Sequence, residues 1–206
     1  MDVKICGLTN LEDAQVALDS GADFLGFIFY SKSPRAVSPE MVASIVSSLG
    51  RGVRAIGVFV NESPERVSAI VSACGLYAAQ VHGDELAADF SGLAIPLWRA
   101  MRMESGVAIP DPAEWPADRY VIDAAVPGQY GGTGVTADWD AAASVANAHC
   151  VMLAGGLSPE NVGEAIRRVR PMGVDVSSGV EAEPGRKDHD AVRAFVTTAK
   201  HMSSES

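Results

Sequence analysis

Short apolar runs punctuate this chain at intervals of roughly 20 to 30 residues, with helix-like stretches between most of them. The runs cover residues 3–6, 24–29, 54–60, 77–81, 95–101, 120–123, 150–154 and 173–177. The interval matches one strand, one helix and two short loops. Helix starts are marked chemically. Asn10 is placed to cap residues 11–20, which Gly21 stops. Ser38-Pro39-Glu40, Ser63-Pro64-Glu65 and Ser158-Pro159-Glu160 each set a serine cap before a proline at the first helical position. Residues 138–148 and 188–201 also read as helices. Residues 102–118 do not: Pro110, Pro112 and Pro116 predict a loop or a single turn where a fifth helix belongs.

Eight strands alternating with helices predict an α/β architecture, a single (β/α)8 TIM barrel with the fifth helix replaced by a loop. The domain spans residues 1–206, with 202–206 expected to fray. A doubly wound open sheet is the alternative, but it carries a glycine fingerprint after its first strand, and Gly7 alone is not one. No Pro/Ser-rich linker divides the chain.

Composition sharpens the picture. Hydrophobic residues make up 48% of the chain, enough for a sizeable core, yet the longest apolar runs are strand-length and far short of the ~20 residues a membrane span needs. Lys4 and Cys6 already belong to the first element, with no basic start and apolar stretch before them, so a cytoplasmic protein is expected. The net charge of −10 argues against nucleic acid and anionic membranes as partners. It leaves room for an anionic small molecule in a locally positive pocket. Three cysteines without metal-ligand spacing predict neither disulfides nor a zinc site.

In barrels of this kind the active site lies at the carboxyl ends of the strands. Cys6 ends the first run, beside Gly7, which is expected to let a ligand approach the backbone. Asp123 ends the sixth and leads into the glycine-rich stretch Pro127 to Gly134. A thiol and a carboxyl group would then face one pocket as base and acid. Cys74 and Cys150 read as small buried hydrophobes instead. Gly155 and Gly156 after the seventh run, with Ser177, Ser178 and Gly179 after the eighth, suit a phosphate site beside a helix amino terminus near Ser158. Arg35 is either a solvated loop residue or a bidentate carboxylate clamp. His82 is either a packed histidine or a site residue. Side-chain alternation turns Lys4 the same way as Cys6, and Asp175 the same way as Ser177. Lys4 and Asp175 are therefore candidates to pair below the pocket. Lys4 is equally a candidate to favour the Cys6 thiolate.

Several segments carry a family resemblance: Lys4-Ile5-Cys6-Gly7-Leu8-Thr9, Gly26-Phe27-Ile28-Phe29 with Ser33-Pro34-Arg35, Gly57-Val58-Phe59-Val60-Asn61, and Gln80-Val81-His82-Gly83-Asp84-Glu85. Pro127 to Gly134, Leu153-Ala154-Gly155-Gly156-Leu157 and Val176-Ser177-Ser178-Gly179-Val180-Glu181 continue it. From Lys4 to Asp188 the chain resembles phosphoribosylanthranilate isomerase of tryptophan biosynthesis. Val81, where that family usually has leucine, is a minor departure.

The resemblance implies an isomerase that performs an Amadori rearrangement without metal or organic cofactor. It implies N-(5-phosphoribosyl)anthranilate, a phosphorylated aminosugar, as substrate and 1-(2-carboxyphenylamino)-1-deoxyribulose 5-phosphate as product. It also implies Asp123 as general acid, Cys6 as general base, Arg35 on the anthranilate carboxylate, and the glycine and serine loops on the phosphate. Such a pocket must shift the resting states of both the thiol and the carboxyl group. Lys4 and His82 complete the expected site. The loop Pro127 to Gly134 is expected to close over the substrate. A monomer and a homodimer both fit the sequence. Two alternatives are weaker: a histidine-pathway sugar isomerase, which uses aspartates at both positions, and a non-catalytic sugar-phosphate binding protein.

Overall fold

The computed structural model describes residues 1–123 and 139–204. Its eight parallel barrel strands are β1 (Asp2–Ile5), β2 (Phe24–Ile28), β3 (Ala55–Phe59), β4 (Ala78–Val81), β5 (Leu97–Glu104), β6 (Arg119–Asp123), β7 (Val151–Ala154) and β8 (Gly173–Val176). Each pairs with its sequence neighbour. The β1–β8 seam, with Lys4 opposite Asp175, and the β4–β5 pairing complete the ring. The expected (β/α)8 barrel is the fold observed.

Helices α1 (Leu11–Asp19), α2 (Pro39–Leu49) and α3 (Pro64–Cys74) begin where their caps place them. Asn10 accepts from the Asp13 amide, Ser38 from Met41 and Ser63 from Arg66, each a bond worth about 1 kcal/mol at a helix start. A short α4 (Ala87–Phe90) follows β4. Then come α5 (Trp139–Ala146), α6 (Val162–Val169) and α7 (His189–Ser204). The last helix runs three residues beyond its expected end, with Val192, Phe195, Val196 and Ala199 buried along one face. The expected α5 start at Asp138 and the glycine-rich Pro127 to Gly134 lie outside the described residues.

Two boundaries differ from expectation. Helix α6 starts at Val162 rather than near Ser158. The Asn161 side chain accepts from the Ser158 amide and donates to the Gly156 carbonyl, which shapes residues 158–161 into a turn before the helix. Residues 102–118 hold no helix, as expected, but they are more than a loop. Strand β5 runs on to Glu104 and pairs antiparallel with Val107–Ile109. Ser105 and Gly106 supply the two positive φ angles, 50° and 82°, of a tight hairpin turn. Trp115 is buried further along and donates to the Glu85 carbonyl.

The barrel lumen is layered. Phe24, Ile56, Ala78, Trp98, Val121 and Met152 fill its lower part with an apolar plug. Lys4, Gln80 and Asp175, also buried, add polar groups to the otherwise apolar interior. Strand residues facing the helices form the larger apolar core. No helix among the described residues is long and apolar enough to cross a membrane.

Candidate active site

Cys6 follows β1 at the carboxyl-end rim and is almost fully buried. Its amide donates to the Val176 carbonyl, which pins it to β8. Beneath it, the Lys4 ammonium donates to an Asp175 carboxylate oxygen at 2.8 Å. Lys4 is fully buried and Asp175 nearly so. The expected pairing exists, with Lys4 beneath the thiol. Burial alone would lower the Lys4 ammonium, but Asp175 and Cys6 outweigh it and hold its pKa above the ordinary 10.5.

Burial dominates at Cys6 and pushes the thiol above its ordinary 9.0. Lys4 pulls it down through charge and a hydrogen bond, Asp175 pushes it up, and Lys187 pulls it down again. Lys4 therefore both pairs with Asp175 and acts on Cys6.

A second charged group lies on the other side of the thiol. Arg35 donates from Nε and Nη2 to the two carboxylate oxygens of Glu181, at 2.7 and 2.6 Å. The buried Lys187 ammonium reaches the same carboxylate at 2.9 Å and the Ser177 carbonyl at 3.0 Å. Glu181 and Lys187 face each other across a small antiparallel ribbon, Glu181–Glu183 with Arg186–Lys187. Desolvation alone would raise Glu181, but its bonds to Arg35 and Lys187 hold it below the ordinary 4.5. Three cations (Lys4, Arg35, Lys187) and two carboxylates (Asp175, Glu181) thus surround Cys6, leaving one positive charge in a chain of net −10. That local surplus favours a bound anion and only partly offsets the burial that raises the thiol.

Gly7 does not leave an open approach to the backbone, as its position suggested. It has φ +72°, and the space a Cβ would need is already filled by Arg35 Cδ and Ser177 Oγ at 2.6 and 2.7 Å. The arginine stem is seated there. Arg35 is accordingly not a freely solvated loop residue.

Across the mouth, His82 follows β4 and is exposed to solvent, not packed into the core. The surrounding rim still desolvates it and lowers its pKa from the ordinary 6.5, against the pull of nearby Asp123. Asp123 ends β6, half-buried, opposite Ala154 and Arg102 in the ladders. Below His82, buried Arg99 donates to Glu85 at 2.8 Å and to the Gly83 carbonyl at 2.6 Å. Glu85 also accepts from the amides of Asn61 and Gly83, so one carboxylate ties the loops after β3 and β4 together.

The two candidate phosphate loops touch. A Cβ on Gly179 would lie 1.8 Å from the Leu157 carbonyl oxygen, so only glycine lets the turn Ser178–Val180 press against the segment after β7. Gly155 and Gly156 both have positive φ, 85° and 65°. The Ser177 hydroxyl is buried without a hydrogen-bond partner among the described residues. Residues 155–156 and 177–179 thus form one continuous rim of small residues.

The N-(5'-phosphoribosyl)anthranilate isomerase family model matches residues 3–198. The chain belongs to this family. The N-(5'-phosphoribosyl)anthranilate isomerase of Pelobacter propionicus is 45% identical over 204 residues, spanning 99% of this chain and 98% of that protein. The crystal structure of phosphoribosyl anthranilate isomerase from Thermotoga maritima is 42% identical, covers 98% of this chain and 99% of its own, and superposes with a TM-score of 0.86. A phosphoribosyl anthranilate isomerase solved with reduced 1-(o-carboxyphenylamino)-1-deoxyribulose 5-phosphate is 40% identical, with a TM-score of 0.84 and coverage of 98% and 99%.

In this member of the isomerase family, the structure brings Cys6, Lys4, Arg35, Ser177 and Asp175 into one cluster. His82 and Asp123 interact electrostatically at other points on the carboxyl-end rim, and Gly155, Gly156, Ser178 and Gly179 line a further stretch. Reasoning on strand ends missed Lys187 and gave Glu181 no role. Their signal was a carboxylate and a lysine six residues apart around Pro184-Gly185, a turn that brings them opposite each other. Cys150 corrects the other way. It precedes β7 on the amino-terminal side and is exposed, whereas Cys74 is buried with its thiol donating to the Pro39 carbonyl. Among the described residues no group of His, Cys, Asp and Glu is arranged to hold a metal ion.

Proposed function

We propose that this chain converts N-(5-phosphoribosyl)anthranilate to 1-(2-carboxyphenylamino)-1-deoxyribulose 5-phosphate in tryptophan biosynthesis, working in the cytoplasm. Asp123 gives a proton to the furanose ring oxygen, the C1–O bond breaks, and the nitrogen lone pair completes a protonated Schiff base. Cys6, as thiolate, removes the C2 proton to leave an enolamine, which tautomerises to the ketone. Arg35 holds the anthranilate carboxylate. Residues 155–156 and 177–179 hold the phosphate, and His82 borders the substrate across the mouth.

The observation that carries this reading is the setting of Cys6: a buried thiol at a strand end, with a lysine below and an arginine and a second lysine beside it. Burial raises the thiol's pKa, so Cys6 must first release its proton to solvent before it can act as the thiolate base, and the order of events matters. Ring opening creates a cation at the Schiff base beside C2, which both acidifies C2–H and adds one more positive charge near Cys6. The acid step thereby prepares the base step.

The test follows substrate fluorescence during turnover, with phosphoribosylanthranilate generated in the cuvette. Wild type converts it rapidly, and Cys6→Ala and Asp123→Asn each lose activity by about 10²-fold or more, as expected for a general acid or base. Conversion that survives Cys6→Ala moves the base elsewhere. No conversion by folded wild type removes the isomerase activity and leaves a sugar-phosphate binding protein.

A further inference from the structure

We infer that Glu181 is the positioning residue for Arg35, dividing the guanidinium so that one edge is held by the protein and the other is presented to the substrate's carboxylate. This rests on the reading of Arg35 as the carboxylate clamp.

A guanidinium offers more than one pair of N–H donors to a carboxylate. Glu181 takes the side edge, Nε and Nη2, as a bidentate fork. The end edge, formed by Nη1 and the second hydrogen of Nη2, is therefore the one left for a ligand. Burial runs the right way. The Glu181 side chain is 4% exposed and that of Arg35 20%, so the acceptor is the more deeply sunk of the two.

Glu181 cannot readily leave to make way for a substrate carboxylate. Its Oε1 also accepts from Lys187, a side chain with no exposed surface that is itself anchored on the Ser177 carbonyl. Withdrawing Glu181 would leave the buried Lys187 ammonium with only that carbonyl. The ribbon register fixes Glu181 opposite Lys187, and Gly185 at its tip accepts from the Thr9 hydroxyl, which holds the ribbon against the loop after β1. The arginine stem is fixed as well, with Cδ and Cγ over Gly7. Both ends of Arg35 are thus set before any substrate arrives, so binding need not order a long side chain.

Steady-state kinetics of E181Q, R35M and the double variant test this. Glutamine keeps the shape, but its amide nitrogen faces an arginine donor, so the fork loses one arm. E181Q should raise KM about ten-fold or more with kcat changed less than about three-fold, and R35M should raise KM at least as much. The double variant should be no worse than R35M alone, because Glu181 acts through Arg35. If R35M leaves KM unchanged, the carboxylate reading fails and takes this inference with it. If R35M raises KM while E181Q does not, or the two losses multiply, the role of Glu181 is overturned and the clamp stands. Wild-type protein with ¹⁵N-labelled arginine decides the case even if E181Q fails to fold. On adding reduced product, the Arg35 Nε–H signal should keep its hydrogen-bonded shift and slow exchange. A collapse of that signal to the solvent-exposed position would mean that the two carboxylates swap, which overturns the proposal.

Discussion

Replacing Lys4 by methionine separates the two jobs that lysine performs. The side chain is fully buried, its ammonium lies 2.8 Å from Asp175 Oδ2, and Asp175 Oδ1 has no hydrogen-bond partner among the described residues. Lys4→Met keeps most of the volume but strands a buried carboxylate, a loss of about 3–5 kcal/mol. At about 2–4 °C per kcal/mol for a chain of this size, Tm should fall by roughly 6–20 °C. Adding Asp175→Leu removes the stranded charge, and most of the lost Tm should return, since an apolar pair of similar volume is often as stable as the ion pair. The thiol should respond differently. Lys4 draws the Cys6 pKa down and Asp175 pushes it up, with Lys4 the stronger of the two. The apparent pKa on the acid limb of kcat/KM should therefore be lowest in wild type, intermediate in the double variant and highest in Lys4→Met. Differential scanning calorimetry and pH–rate profiles on the three proteins check both orders. A double variant as unstable as Lys4→Met would refute the compensation argument. Three identical acid limbs would refute the coupling of Lys4 to Cys6.

Gly26 packs against the thiol: a Cβ there would lie 2.7 Å from Cys6 Sγ and 3.0 Å from Cys6 Cα. Gly26→Ala should cost about 1–3 kcal/mol by overpacking, seen in urea unfolding, and should lower kcat more than it raises KM because the base itself is displaced. Acid stability gives a further check. Glu181 has a folded pKa below its ordinary 4.5, so it stabilises the fold above about 4.5 and that contribution fades as pH falls through the depressed value. The stability difference between wild type and Glu181→Gln, measured by urea unfolding from pH 7 downward, should be constant to about pH 5 and shrink below it. A difference that stays flat to pH 3 would mean that Glu181 carries no linked charge.

The architecture was legible because barrel strands announce themselves twice, by an apolar run and by a capped helix behind it. Ser38-Pro39 and Ser63-Pro64 cap where they were read to cap. Ser158-Pro159 carries the same letters and fails, because Asn161 offers its amide to Ser158 and Gly156 and a turn wins over a helical start. The hairpin at Ser105-Gly106 was hidden by the prolines downstream of it. For the candidate site, strand ends pointed to Cys6, Asp123 and His82, which do lie at the carboxyl-end rim, and side-chain alternation pointed to the Lys4–Asp175 pair. The Glu181–Lys187 bridge was not legible that way. It belongs to a ribbon that is not part of the barrel, and its partners Arg35 and Ser177 come from two different loops. A period of two along one strand says nothing about what another loop brings across.

The seam between β1 and β8 has a consequence for assembly. It joins residues 171 positions apart in sequence, Lys4 to Asp175, and its register is the last thing a sequentially growing barrel has to choose. Apolar side chains alone specify that choice weakly here, since Val3, Ile5, Val174 and Val176 would fit the helix layer in more than one alignment. Sliding the first strand by one residue would turn Lys4 outward among Val192, Phe195 and their neighbours, and leave Asp175 facing the lumen alone. Two charges buried in separate apolar surroundings make that misaligned ring far less stable than an open one. The ion pair under the thiol therefore acts as a key for closure, set against a slip of the seam by one residue.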